Sequence, residues 1–396
     1  MTHQMPRFEE AAVRKALHEV LNPAPTQPGQ SRSSQRLALI AQSASELITW
    51  HARLIREACT RGHEVFCFAP RDGEGFRALS ALGVEPVALP GVGPGREKHA
   101  VRELALALHS LSPDVVVAVS WPVARTGLAA AARAEVARIV AAFPELALAL
   151  DPGRGAENAR MRRECAALLS RCHAAIVPGL ERDPVVRGRS IIPPDLDVAF
   201  IAGPGVDLAR VGHVPLAPLT KGMVFLAIAY PGSEPGIAVY CESARRLSEK
   251  GGNAIYLTVS PPGEAPSPAL IALMQSHRGV VRYLGPREEM DRLLARAHAV
   301  VFAGEEPCLP REIGHALAIG RPVIAADMAA RGRAVRDGVN GRRVPAGDAD
   351  ALSGAMSDLL RRPDLIPGYA KASRAIANAE FDLDAAVARV LATLGL

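Results

Sequence analysis

The stretch from Ala299 to Asp350 reads AVVFAGEEPCLPREIGHALAIGRPVIAADMAARGRAVRDGVNGRRVPAGDAD, and its punctuation decides the fold. A short apolar run, Val300 to Ala303, is followed by a loop and then by a helical stretch that ends at Gly320. A second apolar run, Pro322 to Ala326, leads into the turn Asp337-Gly-Val-Asn-Gly341. Continuous apolar runs of this length, separated by a helix, predict strands of a parallel sheet covered on both faces.

The same alternation extends in both directions. Upstream in this half, strands are expected at Met223–Ala229, Ala254–Val259 and Val280–Leu284, with helices at Gly236–Lys250 and Arg287–Arg296, and a last helix at Asp382–Leu394. A first unit begins at Arg36, with strands at Leu37–Ala41, Glu64–Ala69, Asp114–Val119 and Ala137–Ala142. Its helices are His51–Arg61 and the alanine-rich Gly127–Arg133, and Ala174–Val177 is read as its closing strand. The fold class is therefore α/β, with two Rossmann-like domains. The expected division is 1–34 as an N-terminal helix and linker, 35–190 as the first domain, 191–375 as the second, and 376–396 as a helix returning to the first. Within residues 6–22, Val13, Ala16, Leu17, Val20 and Leu21 recur at helical spacing, before the Pro/Ser/Gln-rich linker PAPTQPGQSRSSQ.

Composition narrows the function. The chain has 396 residues, 49% of them apolar, but no apolar run near the length of a membrane span. The N-terminus lacks the apolar core of a signal peptide. The six cysteines form no C-x-x-C pair, which predicts buried thiols in a reduced cytoplasm and no metal site. The net charge of +5 is carried largely by arginine, either on solvated faces or toward an anionic partner. At 4% aromatics there is too little stacking surface for nucleic acid. No Ser-His-Asp, H-x-x-x-H or P-loop pattern supports a hydrolase or kinase.

Anchored on Leu309-Pro310-Arg311 and Ala318-Ile319-Gly320-Arg321-Pro322, the quoted stretch resembles the nucleotide-sugar half of the GT-B glycosyltransferases, family 4 of the retaining enzymes. Leu284-Gly285, Leu293 to His298, Asp337 to Gly341 and Val344 to Asp348 carry the likeness further. In the N-terminal half, His51 to Arg56, Arg61 to Val65, Phe68-Ala-Pro70, Leu82-Gly-Val84 and Ser112 to Val116 resemble the enzymes that extend undecaprenyl-diphosphate-linked sugars.

The resemblance implies two domains facing a cleft and transfer of a sugar from a nucleotide donor to a lipid-linked or polysaccharide precursor. It also marks departures. Pro307 and His315 stand where the family has the glutamates of Glu-x7-Glu. Tyr230 and Pro235 stand where it has an Arg and a Lys that neutralise the diphosphate, and Arg333 replaces a further glutamate. Proline supplies neither a cation nor an N–H, and a tyrosine is uncharged near neutral pH.

Compensating groups lie close by. Glu306 and His315 are the candidate catalytic residues, and Gly232, Ser233, Gly285, Glu305, Arg311 and Glu312 the candidate donor-binding set. The plainer reading makes Glu305 and Glu306 solvated loop acids, His315 a half-exposed helix residue and Arg311 a surface charge. On the acceptor side, Ser43, Ser45, His51, Trp121 and Arg125 follow strands of the first domain, where α/β sheets place ligands, and each could equally be an ordinary loop or core residue. No cofactor is expected beyond a nucleotide sugar as substrate. The expected location is the cytoplasm, with a peripheral position at the inner membrane compatible with a lipid-linked acceptor. The second reading is a pseudo-glycosyltransferase, a subunit or regulator that meets a protein partner through residues 8–21.

Overall fold

A computed structural model describes residues 34–89, 97–143, 146, 159–178, 191–201, 205–219, 222–230, 232–261, 265–304, 310–327 and 334–396. The predicted helix within residues 6–22, the linker after it, Glu305, Glu306, Pro307 and Arg333 lie outside the described residues.

The chain divides into two compact units. One extends to Ile201 and takes back Ala385–Leu396; the other is Ala202–Asp384. The first is built on β1 (Arg36–Ile40), α1 (Ala44–Thr60), β2 (Glu64–Ala69), α2 (Gly73–Ala81), β3 (Glu85–Ala88), α3 (Glu97–Leu111), β4 (Val115–Ala118), α4 (Trp121–Arg133), β5 (Arg138–Ala141), α5 (Ala159–Leu169), β6 (Ala174–Pro178) and β7 (Asp197–Ile201). Its seven strands run in the order β3-β2-β1-β4-β5-β6-β7, each neighbouring pair parallel.

The second unit contains β8 (Met223–Ile228), α6 (Glu234–Glu249), β9 (Ala254–Ser260), α7 (Pro268–Ser276), β10 (Val281–Pro286), α8 (Met290–Arg296), β11 (Ala299–Phe302), α9 (Arg311–Ile319), β12 (Val323–Ala326), β13 (Gly341–Val344), α10 (Ala349–Arg361) and α11 (Leu365–Glu380). The chain re-enters the first unit within α12 (Leu383–Leu394). This sheet runs β10-β9-β8-β11-β12-β13, again parallel throughout.

Several sequence expectations need correction. Ala174–Val177 does not close the first sheet, because β7 pairs along all of β6. β3 and β13 are further strands that the apolar pattern does not announce. The helix expected at His51–Arg61 begins at Ala44, so Ser45 is a helical residue rather than a loop residue and His51 lies inside the helix rather than at its start. The cause is local: Ser43 caps the helix by accepting from the Glu46 N–H at 3.1 Å. Likewise the helix expected at Gly127 starts at Trp121, with Pro122 in its first turn, where no backbone N–H is needed. Cys59 and Cys172 are only half-buried, whereas Cys67, Cys165 and Cys241 are buried.

In the second unit each sheet face has its own core. One packs α8, α9 and the end of α11 against Leu226, Ile228, Val300 and Phe302. The other packs α6, α7 and α10 against Phe225, Ala227, Tyr256 and Val301. The first core is locked by Arg321, which is 0% exposed yet charged. Its guanidinium donates to the carbonyls of Leu294, Ala295, Val214, Pro215 and Gly320, which uses all five N–H groups. Burial pushes its pKa down to about 10. Placed over the last carbonyls of α8, the cation also suits the negative end of that helix.

Candidate active site

In an open parallel sheet, the crevice for a ligand lies beyond the carboxyl ends of the strands where the strand order reverses. In the second unit that point lies between β8 and β11, because the chain moves outward from β8 through β9 to β10 and then restarts at β11. The residues leaving these two strands therefore define the candidate donor site.

After β8, Tyr230 opens a tight turn. Ser233 Oγ accepts from the Tyr230 N–H at 2.9 Å and donates to the Tyr230 carbonyl at 2.8 Å. Gly232 takes φ +81°, a left-handed conformation that favours glycine, and Ser233 is buried. The candidate pair Gly232 and Ser233 thus shapes the turn before α6. Pro235 falls in the first turn of α6, where its missing N–H costs nothing. Ser267, the N-cap of α7, donates to Glu234 Oε1 at 2.5 Å and holds that carboxyl below the usual range.

After β11, Gly304 lies against the first turn of α6. α9 then starts at Arg311, and its first two turns hold the polar candidates Arg311, Glu312 and His315. The Tyr230 hydroxyl donates to Glu312 Oε2 at 2.5 Å, which joins the end of β8 to the start of α9. Arg311 Nε donates to His315 Nε2 at 3.2 Å. His315 Nδ1 lies 2.6 Å from Asp291 Oδ1 in the first turn of α8. His315 is the fifth residue of its helix and buried, not half-exposed. Both its ring nitrogens are engaged, so in this arrangement it has no hydrogen to offer a ribose. Gly285, φ +75°, lies at the end of the edge strand β10, where Arg287 N–H donates to the Ser260 carbonyl.

The structure therefore gathers Gly232, Ser233, Arg311, Glu312 and His315 around one switch point, and leaves Gly285 two strands away. Asp291 and the Tyr230–Glu312 contact were not foreseen. No spacing rule joins residues 24 and 82 positions apart in sequence. The groups here are of mixed charge: Arg311 and the N-terminal end of α9 are positive, whereas the Glu312 carboxylate accepts from the Tyr230 hydroxyl.

The first sheet reverses between β1 and β4, and there Ser43, Glu46 and Ser120 converge. Ser120 Oγ donates to the Glu46 carboxylate and accepts from the Gln42 N–H at 3.0 Å. Trp121 stands edge-on to Phe143 with centroids 5.3 Å apart. Arg125 pairs with Glu97 at the surface. His51 is half-buried on α1, and desolvation pushes its pKa down to about 4. Of the acceptor-side candidates, Ser43 lies at this switch point as a helix cap and Trp121 opens α4; Ser45, His51 and Arg125 are placed along helices.

Comparison with known proteins places this geometry. Residues 220–362 match the family described as Glycosyl transferases group 1. A phosphatidyl-myo-inositol mannosyltransferase of Mycobacterium leprae is 36% identical over 100 residues, 23% of this chain and 25% of that protein. Its counterpart in Mycolicibacterium smegmatis is 28% identical over 203 residues, 48% of this chain and 50% of that protein. The chain thus spans between a quarter and a half of the length of these relatives. The crystal structure of Anabaena Alr3699/HepE in complex with UDP superposes with a TM-score of 0.71 at 16% identity, over 91% of this chain and 99% of that one. The resemblance to GT-B, family 4-like glycosyltransferases holds, and the fold is GT-B: two parallel-sheet α/β domains.

Proposed function

We propose that this chain is a glycosyltransferase that binds a nucleotide-sugar donor on its second unit, where β8 and β11 end, and passes the sugar to a lipid-linked or polysaccharide precursor through an atypical donor site. The observation that carries the reading is the convergence of Tyr230, Arg311, Glu312 and His315 at the switch point, inside the segment that matches group 1 glycosyl transferases. The relatives named as phosphatidyl-myo-inositol mannosyltransferases support a lipid acceptor, and the HepE structure with UDP supports a nucleotide donor on this fold. No helix among the described residues is long and apolar enough to cross a membrane, so a lipid-linked acceptor would be met at the membrane surface.

In this reading Arg311 and the N-terminal turn of α9 meet the developing charge of the leaving diphosphate, the task that dominates such a transfer. Glu306 is proposed to act in catalysis and Glu305 in donor binding, and Gly285 to border the base. Ser43, Trp121 and Arg125 are proposed to face the acceptor, with Ser45 and His51 behind them on α1.

One observation favours a second reading. Glu312 accepts from Tyr230, the residue that stands where the resemblance implies a cation, and each lost oxyanion donor costs about 3 kcal/mol. The second reading is a pseudo-glycosyltransferase that serves an active transferase. Calorimetric titration with uridine and guanosine diphosphates and their sugars, followed by a transfer assay on a membrane lipid extract, separates the two. Binding with sugar transfer supports the enzyme. Binding without transfer in any donor–acceptor pairing supports the pseudoenzyme, and no binding of any nucleotide overturns the donor-site reading.

A further inference from the structure

The second unit carries a cavity of about 460 Å³ that the donor-site reading does not use. One wall is α11, where Pro367, Lys371, Arg374 and Asn378 fall three or four residues apart and so share a face. The other wall is the segment that holds His213 and Leu216. The volume is that of a small-molecule site and exceeds what a bare inorganic anion fills.

The lining is one-sided in charge. Among the described residues that line the cavity none is acidic, whereas Lys371 and Arg374 are cations and His213 and Asn378 carry donors. Arg374 is fixed in place: its guanidinium donates to the carbonyls of Ala318 at 2.5 Å, Val211 at 2.8 Å and Leu208 at 3.4 Å. All three partners are neutral, so its position is set without a carboxylate that would cancel its charge. Lys371, His213 and Asn378 have no hydrogen bond or ion pair. A single unpaired lysine on a convex surface would need no explanation. Here it shares a concave wall with an anchored guanidinium, two further donors and the apolar Leu216 and Pro367.

The cavity is also separate from the donor candidates. A Cβ on Gly320, the C-cap of α9, would stand 2.7 Å from His213 Cδ2, and Arg374 binds the Ala318 carbonyl in the last turn of that helix. Arg311 and Glu312 open the same helix at its other end, roughly 13 Å away for nine residues.

We propose that this cavity is a second anion site, which takes a phosphate monoester carried on an apolar body. Lys371 and Arg374 supply the charge, His213 and Asn378 donate to the remaining phosphate oxygens, and Leu216 and Pro367 meet the apolar part. The site is independent of whether a nucleotide binds where β8 and β11 end.

The test uses the full chain and two forms of the same chemistry. Phenyl phosphate, with inorganic phosphate beside it, is titrated by calorimetry. Phosphatidylcholine vesicles with and without phosphatidic acid are tested by co-sedimentation. Phenyl phosphate is expected to bind more tightly than inorganic phosphate by about threefold or more, or the vesicles to be bound only when they carry phosphatidic acid. The first result assigns the site to a free phosphate ester, the second to a lipid headgroup. In whichever arm binds, Lys371→Glu should weaken binding about tenfold or more, the scale of a contact between charged groups. Lys250→Glu, the same change of charge at the exposed end of α6, should stay within about twofold. Asn378→Asp, which places an acid in the wall, should also weaken binding. No binding in either arm overturns the proposal, as does equal affinity for inorganic and phenyl phosphate with no dependence on phosphatidic acid. Binding that Lys371→Glu leaves unchanged, or that Lys250→Glu weakens equally, places the phosphate elsewhere and overturns it too. None of these outcomes bears on the donor-site reading.

Discussion

A Cβ placed on Gly236 would stand 2.3 Å from Gly304 Cα and 2.4 Å from Gly304 N. The first turn of α6 therefore lies directly on the backbone that leaves β11, with no side chain between them. This approach brings the two sides of the second unit's switch point together and puts Tyr230 within reach of Glu312.

Gly236→Ala tests how tightly that junction is closed. By helix propensity alone the change should stabilise by roughly 1 kcal/mol. The contact with Gly304 is backbone on backbone and cannot yield by a rotamer change, so we expect a net loss of about 1–3 kcal/mol. Gly354→Ala, on α10, is the control, because its Cβ would meet nothing within 4 Å. Thermal melts should show the first variant lowered by several degrees and the control equal or raised. Equal behaviour of the two would mean that α6 can move away from β11.

Arg321 gives a second stability prediction. Arg321→Met keeps most of the volume but removes the guanidinium from the carbonyls of Ala295, Val214 and Pro215, while the Leu294 carbonyl keeps the Ala297 N–H at 3.1 Å. Buried acceptors stripped of a partner cost on the order of 1–3 kcal/mol. Arg321→Lys supplies fewer donors from one point and cannot span the same set. Denaturant unfolding should rank the unmodified chain above Lys, and Lys above Met. A Met variant as stable as the parent would show that the carbonyls find other donors.

The strands whose every residue is buried, such as Val115–Ala118, Ala299–Phe302 and Val323–Ala326, were legible in the sequence to within a residue or two. β3, β7 and β13 were not, because each lies at a sheet edge with polar or half-buried positions, and Glu85-Pro-Val-Ala carries no apolar run. β13 was read only as the end of a turn. Gly341 sits there because a Cβ would stand 1.7 Å from the Val323 carbonyl oxygen, a constraint set by the neighbouring strand. At the site, His315 and Glu312 could be named from their helix. Asp291 and the contact of Tyr230 with Glu312 could not, since they depend on how α8 and the end of β8 pack against α9.

His51 sets a pH dependence. Desolvation lowers its pKa from about 6.5 to about 4, so the unfolded chain binds the proton more readily than the folded one. Its stabilising effect is complete above the unfolded value and is lost as pH falls from about 6.5 toward 4. We expect the denaturation midpoint to drop across that window, and His51→Gln to flatten the drop without abolishing folding at pH 7.5. An unchanged slope in the variant would assign the acid sensitivity to other groups.

Tyr230→Arg addresses the missing cation itself. In the present structure the Tyr230 hydroxyl spends its hydrogen on Glu312, and neither group can neutralise a phosphate. An arginine at 230 would pair with Glu312, so the single substitution should gain little. Combined with Glu312→Gln, the guanidinium would lose its competing carboxylate and become available to an anion beside the N-terminal turn of α9. Hydrogen bonds to charged groups contribute about 1.5–3 kcal/mol, which corresponds to a gain in UDP affinity of roughly tenfold to a hundredfold for the double variant. Glu312→Gln alone should give a smaller gain, from removal of a negative charge. Titration calorimetry at two ionic strengths separates the effects, because the gain from a new phosphate contact should shrink at high salt. A double variant that binds UDP no better than the parent would show that the end of β8 does not face the diphosphate, and would move the donor site away from the Tyr230–Glu312 bridge.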